Sequence, residues 1–122
     1  MPVTYSVDDE RGILVVTLSG LVTGDELASF SEAWRRDRAY VPSRPALVDA
    51  SALNPAKLGT DTLRARAAVP RPNPARVAIV APSDVVFGLA RMFQMMTEGR
   101  GNHVAVFRGV DEATAWLAAG TA

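Results

Sequence analysis

The 122-residue chain has no cysteine and a single histidine, His103. Without thiols it forms no disulfide and offers no thiolate nucleophile. With one imidazole it cannot build a two-histidine metal site, and any histidine-dependent chemistry has to run through His103. Net charge is missing too, since 13 Lys+Arg balance 13 Asp+Glu. That excludes the overall basic field of a nucleic-acid binder. No run of 18 apolar residues occurs, so no integral membrane association is expected. The first twelve residues, MPVTYSVDDERG, have neither the basic n-region nor the apolar h-region of a secretory signal, which makes a cytoplasmic setting the expectation. There is no G-x-S-x-G elbow. Gly99-Arg100-Gly101 has neither the preceding strand nor the following helix that a phosphate loop needs. No cofactor and no metal are called for.

What remains is apolar, at 48% of residues against 21% charged, a balance that excludes disorder. The length suits one domain over residues 1–122 with a core large enough to fold unaided.

The chain reads as alternating elements. Val3 to Val7 alternates like a half-buried strand, and Asp8 to Gly12 makes the turn. Ile13 to Leu18 is apolar on both parities, which suits a strand covered on both faces; it is close enough to the first strand to form a hairpin. Thr23 and Glu26 then form a capping box. Leu27, Phe30 and Trp34 follow at helical spacing as a core stripe. Arg35, Arg36 and Arg38 sit near the helix end, where cations suit the dipole. Ala46 to Ser51 is a third strand, and a second helix runs from about Gly59-Thr60-Asp61 to Val69. Pro70, Pro72 and Pro74 forbid regular structure. Arg76 to Ala81 reads as a central strand, and Ser83-Asp84 starts a long helix reaching Glu98, with Gly99 placed for a left-handed C-cap. His103 to Phe107 is the last strand. Asp111 caps a final helix with Ala113, Trp116 and Leu117, closed at Gly120. The order β-β-α-β-α-β-α-β-α implies an α/β fold with a five-stranded, mostly parallel sheet flanked by four helices.

Four stretches in this order carry a family resemblance: Gly20-Leu21-Val22-Thr23-Gly24-Asp25-Glu26-Leu27; Leu47-Val48-Asp49-Ala50-Ser51; RVAIVAPSDVVFGLARMF from Arg76; and VAVFRGVDEATAWL from Val104. Together they resemble the STAS domain, shared by sulfate transporters and anti-sigma-factor antagonists, and within it the SpoIIAA-like branch. In anti-sigma antagonists the resemblance implies a partner-binding surface beside a phosphorylatable Ser or Thr at the start of the second helix, in an Asp-Ser-Ser-Gly pattern. Here that stretch is Lys57-Leu58-Gly59-Thr60. The acceptor and its Asp are missing, and Thr60 is the nearest hydroxyl. The SpoIIAA-like branch has also been likened to CRAL-TRIO lipid-transfer domains.

Candidate functional residues fall in two groups. The first gathers at the C-terminal sheet edge, where open α/β sheets place their sites: Asp49 and Ser51 after the third strand, Thr60 and Asp61 at the second helix, Ser83 at the third. Helix-start N–H groups there can hold an anion or partner loop, and the same side chains serve equally as caps and turn formers. The second group lies on the third helix. At about 100° per residue, Val85, Val86, Leu89, Met92, Phe93 and Met96 share the core arc. Phe87 and Met95 fall opposite, four residues either side of Arg91, with Gln94 and Glu98 beside them. An aromatic, a Met and an Arg together have the composition of an interface. The readings are a homodimer contact, a docking surface for a regulatory protein partner, the wall of a small apolar-ligand pocket, or two scattered exposed apolars. Four arginines without an acid between Thr62 and Ser83 (Arg64, Arg66, Arg71, Arg76) form either a small anion-facing patch or a solvated face.

These observations support two functions. One is a non-enzymatic STAS-like interaction or regulatory module, homodimeric and without a phospho-switch. The other is a small carrier or sensor of an apolar, lipid-like ligand, for which a tightly packed core of this size leaves little room unless helices move apart or a dimer encloses it.

Overall fold

The computed structural model describes residues 2–69, 75–98 and 103–119. The proline tract with Arg71, the C-cap expected at Gly99, the stretch Gly99-Arg100-Gly101 and the helix end expected at Gly120 lie outside the described residues.

Two strands open the chain, β1 (Val3–Asp8) and β2 (Ile13–Leu21), paired antiparallel through the turn with Gly12 at φ 67°. Asp8 fastens that turn by accepting the Arg11 amide at 3.2 Å. Helix α1 (Gly24–Arg35) starts on the capping box read from the sequence. The Thr23 hydroxyl accepts the Glu26 amide at 3.2 Å, and the Glu26 carboxylate accepts the Thr23 amide at 2.9 Å. The strand β3 (Ala46–Asn54) runs three residues beyond its expected end. Its pairing with β2 slips by one residue past Thr17 and Asp49, a bulge that opposes Ala50 and Ser51 to Leu18. Asn54 then caps a short 3₁₀ turn, Pro55–Lys57.

Helix α2 (Thr60–Ala67), β4 (Arg76–Val80), α3 (Asp84–Thr97), β5 (His103–Phe107) and α4 (Val110–Ala119) complete the order. Ser83 caps α3 by accepting the Val86 amide at 3.3 Å. Two local expectations shift. Gly59, with no side-chain cap, precedes α2, so Thr60 is already helical. Helix α4 begins one residue ahead of Asp111, which therefore stands in its first turn rather than at its cap.

The sheet is mixed, with spatial order β1-β2-β3-β4-β5 and all pairs parallel except β1–β2. Crossovers between parallel strands are nearly always right-handed. Three in succession, each stepping to the next strand in the same direction, bring their helices to one face. Accordingly Leu14, Val16, Leu18, Val22 and Ala50 pack beneath α1 and α3 on that face. On the other face α4 is the one helix among the described residues: Ala113 and Leu117 seal Ile13, Leu47, Ala78 and Val80. β4 is covered on both faces, as its two-sided apolarity predicts: Ala78 and Val80 lie under α4, while Val77, 9% exposed, and the half-buried Ile79 face the layer of α1–α3.

Candidate functional site

The layer of α1, α2 and α3 meets the sheet at its margins. Helix α1 approaches β1, α3 approaches β5, and α2 lies between its two neighbours. At the α1–α2 approach, a Cβ on Gly24 would meet the Thr62 methyl at 3.0 Å, so the absent side chain lets the helix starts close up. Over β2, β3 and β4 the helical layer is vaulted. The stripe Leu27, Phe30 and Trp34 faces inward as the sequence pattern requires, yet no residue of α1 is fully buried. Small side chains opposite explain the gap: Ala46 and Ala50 on the sheet and Ala90 on α3 leave volume that the large side chains do not fill. The result is a cavity of about 700 Å³, floored by β2–β4, walled by Leu27, Phe30, Leu89 and Phe93, and roofed by Leu58 and Leu63. Native interiors hold few voids larger than a water molecule, whereas ligand sites run to roughly 300–1,000 Å³.

The cavity is polar at one end only. Its deep end, at the C-terminal side of the strands, is closed by the buried Leu18, Leu58, Leu63 and Val86. At the opposite end lie Ser31, Arg35, Tyr40, Arg44 and Arg66, every one of them at least partly exposed. The topology explains this clustering. Arg35 ends α1, Arg66 is in the last turn of α2, and Arg44 precedes β3, so all three reach the N-terminal edge of the parallel strands. Arg66 donates to the Ser31 hydroxyl at 2.6 Å, tying α2 to α1.

The segment between α1 and β3 is held by Asp37. Its carboxylate accepts the Ala39 amide at 2.9 Å and the Tyr5 hydroxyl at 2.8 Å. The Ala39 amide, then the Tyr5 hydroxyl, hold the Asp37 carboxyl below the usual carboxylate range. Hydrogen bonding to Asp37, then burial and the nearby negative charge, push the Tyr5 phenol up. Around this clasp Tyr5 meets Phe30 and Trp34, and Trp34 meets Tyr40, all edge to face at 5.4–5.7 Å.

The C-terminal-edge residues named from the sequence do not form this site. Asp49 accepts the Ser51 amide at 3.0 Å in a turn, and Ser83 is consumed as a cap. Asp61 pairs with Arg64 at 3.5 Å in solvent, and Thr60 is exposed with its hydroxyl 4.0 Å from the Met92 sulfur. His103 is exposed at the start of β5. The described arginines of the acid-free stretch separate: Arg64 to solvent, Arg66 to the cavity, and Arg76 to the other face, stacked 3.8 Å over Trp116.

On α3 the buried arc is turned by roughly 80° from the one drawn from the sequence. Val86, Ala90 and Thr97 are its buried centre, while Val85, expected inside, is 66% exposed. Phe87 is half-buried against the core and covered by Arg108, whose guanidinium lies 4.0 Å over its ring and pairs with Asp84 at 2.7 Å. Met95 is 58% exposed. Arg91 and Gln94 bond to each other at 3.0 Å, and Glu98 is exposed beyond them.

The mouth residues Arg35, Tyr40 and Arg44 were missed by sequence reasoning, which gave Arg35 only a dipole role; Arg66 was singled out, but as part of an acid-free arginine run that the structure separates. A detectable signal existed: large apolar positions on α1 facing Ala46 and Ala50 on the strand that follows.

No family model matches the chain, and no curated protein matches it. Among solved structures it is similar to an uncharacterized protein of the DUF3478 family with a SpoIIAA-like fold from Shewanella loihica PV-4. The TM-score is 0.64 at 17% identity, over 94% of this chain and 91% of that one. The fold expected from the sequence motifs is thereby shown.

Proposed function

We propose that this chain uses its SpoIIAA-like fold as a non-enzymatic carrier or sensor of a lipid-like ligand, held between the sheet and α1–α3. The single observation that carries the reading is the vaulted cavity. The chamber opens to solvent at its arginine-bearing end, and the apolar lining below that mouth is surface that a guest's hydrocarbon would remove from water at about 25 cal/mol per Å². Its volume corresponds to roughly twenty non-hydrogen atoms, at about 30 Å³ for each water-sized group. The lining supports holding rather than transforming a guest: among the described residues it is apolar apart from three arginines, Ser31 and Tyr40, with no His, Asp or Glu. With Gly59-Thr60 where a phospho-acceptor motif would stand, ligand occupancy replaces phosphorylation as the signal. No helix among the described residues is long and apolar enough to cross a membrane, and the protein works in the cytoplasm.

The test is native mass spectrometry on gently purified protein, followed by delipidation and thermal melting with and without the recovered compound. A stoichiometric adduct that leaves on denaturation and raises the melting temperature when restored supports the carrier. Protein with no adduct, and no melting shift across a panel of long-chain compounds, overturns it.

A second reading, self-association through α3, draws support from Val85 and Met95, two large apolar side chains left in solvent on that helix. Sedimentation of wild type against the Val85→Lys/Met95→Lys double variant tests it. A dimer that becomes a folded monomer supports the contact, and identical sedimentation overturns it.

A further inference from the structure

We infer that the segment from Asp37 to Pro45 is the gate of the cavity: it swings aside to pass a guest, and the Tyr5–Asp37 hydrogen bond holds it shut. The inference rests on the carrier reading and adds to it the moving part. Tyr40, Pro42 and Arg44 all belong to this segment and line the chamber. Elsewhere the rim is helical and tied. Helices α1 and α2 carry their own backbone hydrogen bonds, and Arg66 joins them through Ser31 at 2.6 Å. The segment is built otherwise. From Ala39 to Arg44 its backbone bonds stay local: the Ala39 amide to the Asp37 carboxylate, the Tyr40 amide to the Asp37 carbonyl and the Arg44 amide to the Val41 carbonyl, at 2.9–3.0 Å. Among the described residues, none of those backbone groups bonds to a strand or a helix. Hydrogen bonds to the body are made at the two ends. Asp37 donates its amide to the Trp34 carbonyl at 3.1 Å and accepts the Tyr5 hydroxyl of β1 at 2.8 Å. Pro45 accepts the Leu14 amide of β2 at 2.9 Å. Between the ends Tyr40 meets the edge of Trp34. A segment with so few ties opens locally, at far less cost than global unfolding. Arg44 biases it toward opening. Its Nε is buried without a hydrogen-bond partner when the segment is seated, an unfavourable state that water relieves once the segment swings out.

The experiment is stopped-flow mixing of delipidated protein with dodecanol, an uncharged long chain. Fluorescence of Trp34, which lines the chamber, reports filling, and Trp116 on the other face gives a constant background. Tyr5→Phe removes the hydroxyl and keeps the ring that packs on Phe30 and Trp34. Asp37→Ala removes the bond to the Ala39 amide as well. Opening precedes both entry and exit. Tyr5→Phe should therefore raise the association and dissociation rates by one common factor, about threefold to tenfold, and leave Kd unchanged. Asp37→Ala should raise both rates at least as far. Thr23→Ala weakens the start of α1 without touching the segment and should keep wild-type rates. Unchanged rates in the Tyr5 and Asp37 variants, or equal acceleration in the Thr23 variant, overturn the gate while the carrier reading stands. A changed Kd at an unchanged association rate also overturns it, because that marks a purely structural role. If wild type binds no dodecanol, both fall.

Discussion

Replacing Ala90 with Leu separates a cavity from a packed core by the sign of its effect. Ala90 lies on α3, is 8% exposed, and borders the chamber beneath the helices. The substitution adds three carbons. If they enter empty apolar space, each contributes about 0.8 kcal/mol of burial. Ordering the leucine side chain costs roughly 0.5–1 kcal/mol, and the exchange is nearly neutral for a helix interior. The net is a stabilisation of about 1.5 kcal/mol in delipidated protein, or a rise of about 5 °C in melting temperature for a domain of this length. In a close-packed interior the same carbons would force side chains off their rotamers and cost about 1–3 kcal/mol. Urea unfolding followed by circular dichroism reads the difference directly. A further consequence is weaker binding of long-chain ligands, because the added side chain occupies their volume. A loss of stability of 1 kcal/mol or more, with the slope against denaturant unchanged, would refute the argument by showing no space beside Ala90.

Three other expectations follow from the same geometry. Leu117→Ala, on the α4 face at 2% exposure, should cost about 2–5 kcal/mol, whereas Leu89→Ala beside the cavity should cost clearly less; equal losses in denaturant melts would contradict the vault. Thr23→Ala removes one half of the capping box and should lower stability by about 1 kcal/mol, read as a lower unfolding midpoint. Because the folded state holds the Asp37 carboxyl below its unfolded value of about 3.9, its stabilising effect is complete above that value. It is lost as pH falls through the folded one. The near-ultraviolet signal of Tyr5, Trp34 and Tyr40 should therefore fade on acidification in wild type and be flat over that window in Asp37→Asn; identical acid limbs would remove Asp37 from the clasp.

Features set by neighbours in the chain were legible before any coordinates. The Thr23–Glu26 box, the Ser83 cap, the β1–β2 hairpin and the two-sided burial of β4 all follow from spacing of a few residues. So does the alternation that orders the fold. Features set between layers were not. Helical periodicity places Val85 and Phe87 on opposite arcs but cannot say which arc faces the sheet, and Arg108, twenty-one residues beyond Phe87 in the sequence, decides the matter by covering that ring. The cavity is further still from local reach. It depends on how far α1 stands from β3, hence on Ala46 and Ala50 lying beneath Phe30 and Trp34. Arg35 and Arg66 end two different helices and Arg44 lies in the loop before β3, and only the sheet order brings them to one mouth.

The strand order β1-β2-β3-β4-β5 has a kinetic consequence. Every strand pairs with its immediate predecessor, but each of the three parallel pairings spans a helical crossover and so forms more slowly than the β1–β2 hairpin. During synthesis, which delivers the N-terminal part first, the sheet can lengthen by one strand at a time as the chain emerges. The exception is the face that α4 covers. Ile13, Leu47, Ala78 and Val80 stay bare until α4 arrives, so the apolar strip grows strand by strand, is complete once β4 is made, and stays uncovered until Val110–Ala119 follow. Chaperone capture and premature aggregation should therefore both act on that strip, and both should end when Ala113 and Leu117 dock.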